Sequence, residues 1–138
     1  MREFIRLIGV VYVIASAAAC ANPIAGGGRV PTGTWGATSL RLEVTAQGAT
    51  TEYDCAHGTI DEPLVTDRDG RFTAAGTHVR EHGGPIRQDE QPDRHPARYQ
   101  GQLTGDTMRL TVTLTDVSQD IGTFTLTRGA TGRIVKCL

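Results

Sequence analysis

Met108-Arg109-Leu110-Thr111-Val112-Thr113-Leu114-Thr115 is the stretch that decides the fold. Apolar side chains occupy every second position, and Arg or Thr fills the places between. A period of two sets the apolar residues on one face of an extended strand and the polar ones on the other, the mark of a half-buried antiparallel strand. The same alternation runs through Leu40-Arg41-Leu42-Glu43-Val44 and through Gly122, Phe124 and Leu126 with Thr123, Thr125 and Thr127 between and after them. Weaker versions appear in Thr51-Tyr53-Cys55, Phe72-Ala74 and Tyr99-Gly101-Leu103. Thr59 to Val65 makes a poor strand, and Arg133 to Cys137 a short one that is β-branched in its middle. Turn signals fall at Gln47-Gly48, His57-Gly58, Asp69-Gly70, Gly105-Asp106 and the Gly129/Gly132 pair. No stretch beyond Gly33 keeps a capped 3.6-residue period. About eight short strands joined by tight turns predict one all-β domain over residues 34–138, a small antiparallel up-and-down β-barrel with no open edge. A two-sheet β-sandwich is the alternative.

The first residues read differently. Arg2 and Arg6 give a positive start, Leu7 to Ala15 is apolar but too short to span a bilayer, and small residues lead to Cys20. This predicts a secretory signal peptide over 1–19. The run Ala17-Ala18-Ala19-Cys20 resembles a bacterial lipobox, with Ala17 where that pattern usually has Leu. The resemblance implies that Cys20 becomes a lipidated first residue; cleavage after Ala19 or Ala21 is the alternative. Residues 20–33, with Asn22-Pro23, Gly26-Gly27-Gly28 and Pro31, read as a flexible tether. The expected location is the cell envelope, as a membrane-anchored lipoprotein or otherwise a secreted protein.

Cysteine usage agrees with export. The chain has 3 cysteines. Cys20 goes to the lipid or leaves with the signal, so Cys55–Cys137 is the one intramolecular disulfide expected in an oxidising compartment; two separate buried thiols are the alternative. Closing so long a loop stabilises by about 4–5 kcal/mol on the chain-entropy model. A formal charge of −1 argues against general nucleic-acid binding, which needs a basic face.

Gly33-Thr34-Trp35, entering the first strand, is similar to the Gly-x-Trp of the calycin group of lipocalins and avidins. That resemblance implies an eight-stranded barrel, often with a small ligand inside, and Trp35 plugging one end with Arg128 or Arg133 against it. Cys55-Ala56-His57-Gly58, Gly83-Gly84-Pro85, Tyr99-Gln100-Gly101 and Lys136-Cys137-Leu138 resemble small exported bacterial lipoproteins, a group without a common activity.

His78-Val79-Arg80-Glu81-His82 spells the inverted zinc-protease signature, which needs a helix to bring its ends together. Glycines flank it here, and on an extended strand the histidines stand about 13 Å apart, too far to share a zinc. A strand running into a turn is expected, with no metal. Asp67-Arg68-Asp69-Gly70 opens like a calcium loop, but the twelfth position holds His78 and not Glu, so an acidic hairpin turn is expected. The chain carries no nucleophile elbow or phosphate loop, so no enzyme and no cofactor is expected. The segment from His82 to Pro96 is long for a hairpin connection and rich in Gly, Pro and charge. Candidate binding residues are Glu81, His82, Gly83, Gly84, Pro85 and Arg87, with the glycines admitting a partner's backbone. The expected function is a non-catalytic binding or structural module for an unknown envelope protein or small ligand. The alternatives are a hydrolase inhibitor acting through this loop and a small-ligand carrier. A carrier needs an internal cavity; an inhibitor needs a filled core and a rigid loop.

Overall fold

The computed structural model describes residues 27–138. The signal peptide, Cys20 and the first part of the tether lie outside the described residues. Eight strands follow in order: β1 (Gly33–Ala37), β2 (Leu40–Val44), β3 (Ala49–Tyr53), β4 (Ala56–Ile60), β5 (Arg71–Arg80), β6 (Asp93–Thr104), β7 (Thr107–Leu114) and β8 (Gln119–Arg128). Each pairs antiparallel with its sequence neighbour, and β8 returns to β1, so the sheet is a closed up-and-down barrel. Eight strands enclose a space that side chains just fill. Trp35, Leu40, Leu42, Tyr99, Met108, Leu110, Val112, Leu114 and Leu126 fill it here, all fully buried. The alternation on β7 places Met108, Leu110, Val112 and Leu114 inside, and its threonines outside, where Thr111 bonds Thr123 of β8 at 2.8 Å.

Three elements differ from the sequence expectation. His57-Gly58 is not a turn but the middle of β4. A side chain at Gly58 would collide with the Thr77 carbonyl oxygen at 2.2 Å and the Tyr99 hydroxyl at 2.7 Å, so glycine is there to admit the Tyr99 phenol, which donates to Thr77 O at 2.7 Å. Thr59 to Val65 is not one strand: β4 stops at Ile60, and Leu64 turns in as part of an end cap. Arg133 to Cys137 is not a barrel strand either. It crosses the outside as a strap, bridging Thr38 through Arg133. The count of eight is restored by β4 and by β1, which is separated from β2 by a tight turn with Ser39 at φ 66°.

The barrel has two unlike ends. At the lower end, where β1 begins, residues 28–30 pair with 64–66: Val30 N–H donates to Leu64 O at 3.0 Å and Thr66 N–H to Gly28 O at 2.8 Å. Val30 and Leu64 are each 3 % exposed and cap the core. Packing thus starts inside the segment read as tether. Trp35 is buried at this end, its indole N–H donating to Pro31 O at 3.0 Å. Its cross-strand partner is Arg128, whereas Arg133 sits beside Thr38. The 61–70 connection also lies here, its Asp67 carboxylate accepting from the N–H groups of Asp69 and Arg71 as an Asx-type turn. The upper end carries the 54–55 turn, the 81–92 loop, the 115–118 turn and the strap.

Candidate functional site

β6 is the longest strand, and it pairs with β5 from Arg71↔Gln102 to Arg80↔Asp93, beyond the reach of β7 at the upper end. Between them residues 81–92 form a loop shorter than expected, because Asp93 to Pro96 belong to β6. Pro96 is tolerated because β6 pairs with β7 only from Ala97 onward. The loop lies against the outer face of β5. Val79, an outward residue, is therefore only 6 % exposed, while Ile86 stands 81 % exposed on the loop. Between them is a recess of about 250 Å³ with Val79, Ile86 and Pro92 as its apolar wall and His57, Arg80, Glu81, His82, Glu90 and Asp93 at its margins.

Ion pairs brace the loop at its start, middle and end. Glu81 accepts from His57 Nδ1 at 2.7 Å and from Lys136 Nζ at 3.2 Å. Partial burial pushes the Glu81 carboxyl up, but the His57 and Lys136 hydrogen bonds outweigh it and hold Glu81 below the usual carboxylate range. In the middle of the loop, His82 Nδ1–H donates to Gly83 O at 2.9 Å and Nε2 pairs with Glu90. With both ring nitrogens facing oxygen acceptors, the imidazolium is favoured and the His82 pKa is raised. At the far end His95 is set between Asp116 at 2.8 Å and Asp93 at 2.9 Å, which raises its pKa in the same way.

Lys136 joins the strap to this frame. Its ammonium also donates to the carbonyls of Tyr53 at 3.1 Å and Ala56 at 3.4 Å, and lies 3.5 Å from Glu52, which pairs in turn with Arg41. Next to it Cys55 and Cys137 form the disulfide, their Cα atoms 5.2 Å apart. Val135 N–H donates to the Asp54 carboxylate at 2.8 Å.

The sequence candidates divide. Glu81 and His82 line the recess; Pro85 and Arg87 border a shallower depression beside it with His82, Asp89 and Glu90. Gly83 does not await a partner's backbone: a side chain there would meet the chain's own Leu138 carbonyl oxygen at 2.0 Å. Gly84 supplies a positive φ of 89°. The zinc-type motif is split by the strand, with His78 buried inside the barrel and Glu81 and His82 outside on the loop. Burial and the nearby Arg80 depress the His78 pKa, its Nδ1 has no partner, and its ring lies edge-on to Tyr53 at 4.8 Å. Among the described residues no three His, Cys, Asp or Glu side chains are grouped to hold a metal ion.

Sequence reasoning missed His57, Val79 and Lys136, and did not name Ile86 or Glu90 among the binding candidates although both lie in the loop it singled out. Compared with family models, curated proteins and solved structures, the chain gives no match.

Proposed function

We propose that the chain is a membrane-anchored envelope lipoprotein whose barrel is a non-catalytic binding module, meeting a protein partner with its upper end. The opposition of the two ends carries this reading. The segment leading from Cys20 joins the barrel at the lower end, and the braced 81–92 loop with its recess lies at the other. Residues between Cys20 and Gly28 reach about 25 Å when extended, enough to stand the barrel clear of lipid with the loop outermost. The filled interior favours a protein partner over carriage of a small ligand inside. So does the size of the recess, about 250 Å³, below the roughly 300–1,000 Å³ of small-molecule sites.

A second reading, inhibition of a hydrolase, is favoured by Ile86. A protruding aliphatic side chain on a loop held by the His82–Glu90 pair suits insertion into a cleft.

Fractionation and pull-down from envelope extract test the first reading together. Cys20→Ser is expected to move the protein from membranes to the soluble fraction. Ile86→Glu is expected to lose the captured partner, while Thr45→Glu at the lower end keeps it. A partner indifferent to Ile86→Glu and lost with Thr45→Glu would reverse the assignment of ends. Inhibition of a hydrolase abolished by Ile86→Glu would establish the second reading.

A further inference from the structure

The arginines on the strands are used in two ways. Arg41 stands opposite Glu52 and Arg80 opposite Asp93 on the neighbouring strand, and each forms an ion pair there. Arg71, Arg98 and Arg109, on the outer face of β5, β6 and β7, are exposed and among the described residues have no carboxylate partner. Arg71 and Arg109 both face Gln102, so a neutral amide stands where the braced arginines meet a carboxylate. Arg98 lies in the same way between Ala75 and Thr113. Two strand spacings set Arg71 and Arg109 about 10 Å apart, close enough to serve one ligand. The carboxylates bordering this face are engaged elsewhere. Glu62 accepts from Ala75 N–H at 2.7 Å, Asp120 from the Thr113 hydroxyl at 3.0 Å, and Asp67 from the N–H groups of Asp69 and Arg71. The face is also grooved. One depression runs among Arg71, Gln102 and Arg109 over Thr73, Gln100 and Thr111, and a second continues from Thr73 past Ala75 and Arg98 to Pro96. From Gln102 to Pro96 they extend about 20 Å along β6.

We propose that this wall of the barrel binds an acidic polysaccharide, a linear glycan with carboxylates on its sugars, laid along β6 with its charges at Arg71, Arg98 and Arg109. The contact goes beyond the upper-end reading and shares no residue with the recess there. Each free guanidinium offers a planar fork that fits a carboxylate bidentately. Between the forks the hydroxyls and amides of Thr73, Gln100, Gln102 and Thr111 face the groove, a match for the hydroxyls of a sugar chain. An acidic peptide fits less well. The middle strand β6 is paired on both sides, so no strand can add to it, and the groove has no aromatic anchor on its surface. Phe72, the ring beneath it, is turned into the core and is 5 % exposed, so no base can stack there and a nucleic acid gains only its charge.

The test titrates the full, disulfide-intact chain with polygalacturonate oligomers and follows the methyl resonances of Thr73 and Thr111 and the Nε–H resonances of the three arginines. Saturable shifts are expected there, with affinity falling about tenfold as salt rises from about 50 to about 200 mM. Arg71→Gln and Arg109→Gln should each weaken binding about threefold, and their combination about tenfold, with far-ultraviolet circular dichroism unchanged. Arg29→Gln removes the same charge beside the 45–48 turn, where Arg29 donates to Ala46 O, and should leave binding as it was. The methyl-esterified oligomer keeps the sugars without their charge and should not shift these resonances. Absence of saturable shifts by about 10 mM oligomer, where even a Kd of about 1 mM is near saturation, overturns the proposal. So does equal binding of the methyl ester, or a loss with Arg29→Gln as large as that with Arg109→Gln. Tighter binding of polyglutamate or single-stranded DNA than of polygalacturonate also overturns it, by replacing the glycan with an acidic protein or a nucleic acid.

Discussion

The two ends of the barrel are closed by different chemistry. The lower end uses main-chain hydrogen bonds between residues 28–30 and 64–66 and two apolar caps, Val30 and Leu64. The upper end uses a disulfide, a lysine that touches both loop and turn, and histidine–carboxylate pairs. All 4 histidines of the chain lie in the upper half, three on the outside or rim and His78 within. Backbone and apolar closure depends weakly on pH and not on redox state. Covalent and ionic closure depends on both. The molecule is thus built with one end indifferent to its surroundings and one end tuned to them, and the indifferent end is where the segment from Cys20 joins.

Removing the disulfide should have the largest effect. Cys55→Ser with Cys137→Ser is expected to lower unfolding free energy by about 3–5 kcal/mol in denaturant titrations. Hydrogen exchange should rise at 81–92 and 133–138 while Val30 and Trp35 stay protected. Equal acceleration at both ends would show that the ends are not independent. Leu64→Ala attacks the other end. A buried leucine truncated to alanine costs about 2–3 kcal/mol where some collapse is possible. Exchange should quicken at Val30 and Thr66 and leave the upper loop unchanged; loosening of residues 81–92 would break the contrast.

The smallest effect is that of pH, and it should be confined to the upper end. The raised pKa values of His82 and His95 give stability that is complete below the ordinary 6.5 and is lost as pH rises through their folded values. The buried His78 runs the other way. Its stability is present above 6.5 and is lost as pH falls through its depressed folded value. Protection of the upper loop, taken relative to the base-catalysed exchange of an unstructured chain, should therefore be greater at pH 6 than at pH 8, and the trend should turn once His78 takes a proton. Histidine ring resonances titrating above 6.5 for His82 and His95 and below it for His78 would bear this out. Identical titration of His78 and His82 would refute it.

Much of the fold was legible where local pattern and tertiary role agree. β7 alternates without interruption because its inward face meets core and its outward face meets solvent. The disulfide followed from cysteine number and compartment. The reading failed where a distant contact decides the residue. Gly58 looks like a turn residue because the Tyr99 phenol that needs its space is far along the chain. The Thr38-Ser39 turn gave no signal because a serine, not a glycine or asparagine, takes the positive φ. The strap has a strand's composition, yet it bridges the Thr38 turn and adds no strand to the sheet. At the candidate site, Glu81 and His82 were found from an unusual loop composition. His57 and Lys136 were not, since neither is near that loop in sequence and only barrel closure brings them to Glu81.

β1 and β8 meet over Trp35↔Arg128 and Gly36↔Thr127 alone, with Gly129 N–H donating to Thr34 O at 2.7 Å just beyond. Every other strand pairing joins sequence neighbours, so the sheet can grow hairpin by hairpin from local contacts. Its closure cannot, because that seam joins the first strand to the last. Folding should thus show a quick phase that builds an open sheet and a slower one that rolls it shut, since ordering a non-local pair pays its entropy before any contact rewards it. Between the two phases β1 and β8 each present a bare edge to other chains. The interval before the seam forms is when the protein is most exposed to aggregation.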